Sequence, residues 1–146
     1  MTSLKTAAKL LAAGIVLLVL AACASGPQFS QMQAGLRAVS ADQGRIFIYR
    51  STALGAAIQP SVKVNGDVVG SAVPRGFFYV DRPPGDYEIT TTTEVTRTLS
   101  LKLEAGQTRY VRLGASFGFF VGHIYPELVD DAVGASEIQD LHYIGK

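Results

Sequence analysis

Ser61-Val62-Lys63-Val64-Asn65-Gly66-Asp67-Val68-Val69 reads as two short strands around a two-residue turn. Polar and apolar residues alternate before the turn, as they do when one face of a strand is buried. A type I′ turn needs positive φ at both central residues, and Asn-Gly accepts that at little cost. The pair therefore marks a β-hairpin.

The same grammar extends in both directions. Upstream, Ile46-Phe47-Ile48-Tyr49 within Arg45–Arg50 is apolar on both sides, the pattern of a strand inside a sandwich. Ser51 to Pro60 is a small-residue loop. Downstream, Gly76 to Val80 is a strand carrying Phe77, Phe78 and Tyr79, whose alternate rings face opposite ways. Arg82-Pro83-Pro84-Gly85-Asp86 is a turn, because two of its residues have no amide hydrogen for a ladder. Tyr87, Ile89 and Thr91 alternate with Glu88, Thr90 and Thr92, and the β-branched threonines favour a strand. Leu99, Leu101 and Leu103 alternate with Ser100, Lys102 and Glu104. Ala105-Gly106-Gln107 turns that strand back into Thr108–Leu113. Phe117 to Tyr125 is apolar and glycine-punctuated, either a strand or a hydrophobic loop, and Asp131 to Leu141 is a candidate helix. Six or seven short strands without intervening helices predict a mainly β fold, an antiparallel β-sandwich with a short C-terminal helix.

The chain has 146 residues, a net charge of +1 and one cysteine. Its start is a secretory signal. Lys5 and Lys9 precede an apolar run from Leu10 to Ala22, and small residues end that run at Cys23. As a helix the run reaches only about 20 Å, short of the roughly 30 Å hydrocarbon core. Leu20-Ala21-Ala22-Cys23 resembles the lipobox of bacterial lipoproteins. The resemblance implies that the Cys23 thiol takes a diacylglyceryl group, that cleavage falls before it, and that the new amine is acylated. Two or more chains give stable anchoring. By the same resemblance, Ala24 after the cysteine points to the outer membrane, with the domain facing the periplasm. The expected organisation is a cleaved signal over 1–22, a lipid-anchored tether over 23–43 and a β-sandwich over 44–146. The sole cysteine is used by lipid, so a hydrophobic core must hold the domain without a disulfide.

Two further resemblances rest on internal segments. Val64-Asn65-Gly66-Asp67-Val68-Val69-Gly70 followed by Pro83-Pro84-Gly85-Asp86-Tyr87-Glu88-Ile89 resembles PEGA modules, small extracytoplasmic β-sandwiches without catalytic residues. A broader match spans Gly44 to Tyr143. Gly44–Arg50, Gly76–Val80, Pro83–Gly85, Ala105–Arg112 and Glu127–Val129 together resemble a family of bacterial lipoproteins known as a domain of unknown function. That resemblance implies a lipid-anchored β domain and brings no catalytic residues.

Chemical sites are sparse in the sequence. Gly114-Ala115-Ser116-Phe117-Gly118 fits G-x-S-x-G, and Asp130, Asp131 and His142 follow in hydrolase order. That motif acts on a strand-to-helix elbow that thrusts the hydroxyl out of a parallel sheet. Phe119-Phe120-Val121-Gly122 is a poor helix start, so Ser116 is expected at a turn, and a serine hydrolase is the least favoured reading. His123, Glu127, Asp130 and Asp131 lack zinc spacing, with Pro126 between the first two. There is no P-loop or dinucleotide fingerprint, and neither cofactor nor metal is expected. Arg45, Tyr49, Arg50, Arg109, Tyr110 and Arg112 interleave bases with aromatics. With a near-neutral chain they are expected to line a solvated face rather than to hold nucleic acid.

The leading expectation is a non-catalytic envelope domain serving structure or interaction with an envelope protein. Phe77, Tyr79, Phe119, Phe120 and Tyr125 are the candidate contact surface. The alternative is a small-ligand module whose pocket, between the sheets, is lined by Phe77, Tyr79, Phe119 and Tyr125.

Overall fold

The computed structural model describes residues 24–117 and 122–145. In chain order the elements are a single helical turn α1 (Phe29–Met32), a 3-10 turn (Gln33–Gly35), then β1 (Gly44–Tyr49), β2 (Ser61–Val64), β3 (Asp67–Ser71), β4 (Gly76–Arg82), β5 (Gly85–Thr92), β6 (Thr96–Leu103), β7 (Thr108–Ser116), β8 (His123–Val129), α2 (Asp131–Glu137) and β9 (His142–Tyr143). They form a sandwich of a five-stranded sheet, β8-β7-β1-β4-β9, and a four-stranded sheet, β3-β2-β5-β6.

The sandwich is as expected, with two differences in detail. There are nine strands rather than six or seven among the described residues. The four-stranded sheet is wholly antiparallel, but β1 pairs β7 in parallel and so does β4 with β9. The excursion through the second sheet explains the first parallel pair. The chain passes through the other sheet twice, returning first as the antiparallel β4 and then as β7, which runs the same way as β1 and so cannot be joined to it by a hairpin. The Asn65-Gly66 hairpin forms as read, with φ of 49° and 89°. Pro83-Pro84 and Ala105-Gly106-Gln107 instead make corners between sheets, since β4 and β7 lie in one sheet and β5 and β6 in the other. The Tyr87 hydroxyl donates to the Pro83 carbonyl at 2.8 Å and fastens the first corner.

Side-chain alternation divides the core in two. Ile46, Ile48, Phe78, Val111, Leu113 and Ile124 point between the sheets and meet Val62, Val64, Ile89, Leu101 and Leu103 from the other side. On the outer face of the larger sheet, Phe47, Tyr49, Phe77 and Tyr110 pack with Phe29, Ile138 and Leu141. Strand β1 is therefore buried on both faces along its whole length, which is why its sequence shows no polar alternation.

The second layer of core changes the reading of residues 24–43. The segment after Cys23 is docked on the domain from its start instead of forming a free tether. Ala24 N–H donates to the Pro74 carbonyl at 3.0 Å, Phe29 N–H to Leu141 and Tyr143 N–H to Pro27. Phe29 is buried edge-on between Phe47 and Phe77, at 5.6 and 5.5 Å. One large aromatic and a ladder of backbone bonds are enough to order a stretch whose composition is otherwise loop-like. The signal segment and Cys23 lie outside the described residues.

Two arginines also depart from expectation. Arg45 and Arg50 are buried rather than on a solvated face. Arg45 makes a two-pronged bond to Asp81 (2.7 and 2.8 Å), donates to the Arg37 carbonyl and lies 4.3 Å over the Tyr79 ring. Its hydrogen bond to Asp81 outweighs burial and raises its pKa. Arg50 donates to the carbonyls of Leu54, Gly55, Ile58 and Ala72. Burial pushes its pKa down, yet a guanidinium stays charged under any ordinary condition. The carbonyl dipoles of the 51–60 loop thus solvate a buried cation.

Candidate functional site

An open cleft of about 450 Å³ lies where the ends of β7 and β8 meet α2. Neighbouring positions in the β7–β8 ladder bring its charges together. Arg112 stands opposite Glu127 and lies 3.2 Å from it. The α2 helix, packed on β7, lowers Glu137 onto the same guanidinium at 2.7 Å. The second oxygen of Glu137 accepts the Tyr49 hydroxyl at 2.6 Å. Burial and then this bond push the Tyr49 pKa well above its usual value. Burial opposes the charge on Arg112, but Glu127 and Glu137 outweigh it and the pKa rises. Arg109, Asp130 and Asp131 complete the rim, and Arg109 Nε is buried with no hydrogen-bond partner. The carboxylates nearest the cleft floor are engaged with one cation and one phenol. That arrangement holds α2 to the sheet and offers a mixed-charge surface. Nothing in the sequence pattern joined Arg112 to Glu137, because the helix brings them together from 25 residues apart.

The hydrolase candidates are not assembled. Ser116 is exposed at the end of β7 and stands opposite His123, the first residue of the antiparallel strand β8. His123 reaches away to the β5–β6 turn, with Thr93 Oγ1 at 3.3 Å and Glu94 at 3.7 Å. Asp130 and Asp131 follow the far end of β8, on the order of 20 Å along the strand. His142 is on β9, at the opposite edge of the sheet, bonded to the Gly26 carbonyl. His123 and Glu127 are about 13 Å apart along β8. Among the described residues no group of three or more His, Cys, Asp or Glu could hold a metal ion.

The candidate contact surface divides. Phe77 is fully buried, beneath Phe29 and Tyr143, each at 5.5 Å, and so belongs to the core. It is covered because the N-terminal segment supplies a layer that strand patterning does not reveal. Tyr79 is half-buried under Arg45. Tyr125 folds its ring over Gly114, where a Cβ would lie 2.5 Å from Tyr125 Cζ, a packing in which an aromatic covers a strand glycine. Strands β7 and β1 separate Tyr125 from Tyr79, so they share no patch or pocket. Phe119 and Phe120 lie outside the described residues. Among the described residues the two most exposed large apolar side chains are elsewhere: Phe117 is 85% exposed at the β7 tip and Val68 63% exposed on β3.

An uncharacterized protein of Haemophilus influenzae is 29% identical over 132 residues, covering 87% of this chain and 79% of that protein. No solved structure matches. A family model described as a protein of unknown function (DUF2846) matches residues 40–124, more than half of the chain and most of the sandwich. On that match the chain belongs to the DUF2846 family.

Proposed function

We propose that this protein is a lipid-anchored lipoprotein of the bacterial envelope, acylated at Cys23, held at the outer membrane and facing the periplasm. Its sandwich is a non-catalytic domain that serves structure or binds another envelope protein. The observation that carries this reading is the unique cysteine placed directly after Leu20-Ala21-Ala22, at the junction between an apolar signal and a folded domain. The geometry supports the non-catalytic part. Ser116, Asp130, Asp131 and His142 are far apart, at both ends of β8 and on the opposite edge strand, and Glu127 and Glu137 beside the α2 cleft are tied to Arg112. The filled space between the sheets speaks against a ligand pocket lined by Phe77, Tyr79, Phe119 and Tyr125. The PEGA-like hairpin and corner fit a surface module of the same kind. An exposed apolar tip at Phe117 suits a protein contact.

In-cell crosslinking of the tagged, lipidated protein followed by mass spectrometry tests this reading, with Cys23→Ser as control. The expected result is an envelope protein captured only by the anchored form. Recovery of nothing from a folded, anchored domain contradicts the interaction role.

A further inference from the structure

The two sides of the sandwich are unlike. On one side β6 and β5 lie against β8, and Thr91 Oγ1 donates to the Ile124 carbonyl at 2.6 Å, closing the sheets together. On the other side the edge strands β3 and β9 leave a groove of about 270 Å³, lined by Val68, Val69, Val73 and Ile144. This groove adjoins the point at which the chain enters the fold. A Cβ placed on Gly76 would lie 3.1 Å from Ala24 Cβ and 3.0 Å from Ile144 Cδ1. Ala24 is itself pinned there by its bond to Pro74.

Cys23 is the next residue, one Cα step of about 3.8 Å away. No slack chain separates it from the groove rim. We infer that the open β3–β9 side of the sandwich rests on the membrane that holds the acyl chains of Cys23, with Val68, Val73 and Ile144 at the lipid interface. This rests on the lipid-anchor reading above. A long tether would let the domain tumble freely, whereas a pinned Ala24 fixes which side faces the bilayer. The apolar character of that side matches the surface it would meet: Val68 is exposed to solvent in the free domain, beside other valines and Ile144. The mixed-charge cleft beside α2 lies across the sheet from this edge, at β7 and β8, and stays open to the periplasm.

The chain contains no tryptophan, so one introduced indole reports alone. The lipidated mature protein, purified from membranes, is reconstituted into phosphatidylethanolamine and phosphatidylglycerol vesicles with or without brominated acyl chains. Val68→Trp and Ser71→Trp place the probe on β3, and Lys102→Trp places it on β6 at the far edge. All three positions are exposed, so the variants keep the core intact. The expected result is loss of about half the β3 fluorescence in brominated vesicles, with Lys102→Trp unchanged. Vesicle-bound protein whose β3 probes are not quenched overturns the seating and leaves the anchor standing. A β3 probe shielded from iodide but insensitive to bromine means that a protein covers the groove, and also overturns it. Protein that carries no lipid and fails to float with vesicles removes the anchor and the seating together.

Discussion

Phe29, six residues after Cys23, sets its ring edge-on against Phe77 at 5.5 Å. The contact joins the entry segment to the centre of the larger sheet. It makes the chain after the cysteine part of the domain. Phe29→Ala removes a buried aromatic and is expected to cost about 3 kcal/mol. Urea unfolding measures the loss. Hydrogen exchange is expected to rise selectively in residues 24–36 and in β9, whose backbone bonds to Pro27 and Gln28 depend on that segment.

Arg50 organises the loop between β1 and β2 from inside. Arg50→Met keeps much of the volume but removes the donor from the carbonyls of Leu54, Ile58 and Ala72, while Gly55 keeps the Ile58 N–H. The expected loss is about 3 kcal/mol or more, because each buried acceptor left unpaired costs a share of its desolvation. Arg50→Lys is expected to recover only part, since one ammonium cannot span the same fork. The unfolding midpoints of both variants check this order.

Alkaline pH is expected to weaken the fold through its tyrosines. Burial and the bond to Glu137 keep the proton on Tyr49, so its folded pKa lies above the unfolded value. Burial shifts Tyr110 and Tyr143 the same way. A raised pKa means that the stabilisation is whole below the unfolded value of about 10 and is lost as pH rises past it toward the folded value. Tyr49→Phe is expected to lose about 1 kcal/mol at neutral pH with its hydrogen bond. Its unfolding free energy then falls less steeply than that of the parent from about pH 9.5 to 11.5. Parallel slopes for the two proteins contradict the assignment.

Local chemistry made the strands legible before their arrangement. Asn65-Gly66 needs only its own dihedral preferences to declare a hairpin, and Leu99, Leu101 and Leu103 need only the two-residue period of a strand. Ile46 to Tyr49 announced burial on both faces, and β1 proved to have a core on each side. Sheet membership was harder to read. Pro83-Pro84 and Gly106 show that the chain reverses, yet a reversal within a sheet and a corner between sheets use the same turn residues. The covering layer was hidden for a related reason. Phe29 is one aromatic in a polar stretch, without period, and its partners Phe47 and Phe77 are close only in the fold. The same holds for the charges. Arg45 finds Asp81 through the β1–β4 ladder and Arg112 finds Glu137 through the docking of α2. Distance along the chain conceals both pairs.

Acylation at Cys23 is the claim on which the functional account depends, and it is tested most directly by labelled palmitate incorporation in cells making the parent chain or Cys23→Ser. The account predicts label on the parent and none on the variant, which accumulates as an uncut precursor of higher mass. Label that persists in Cys23→Ser, or a parent chain that takes up none, contradicts it.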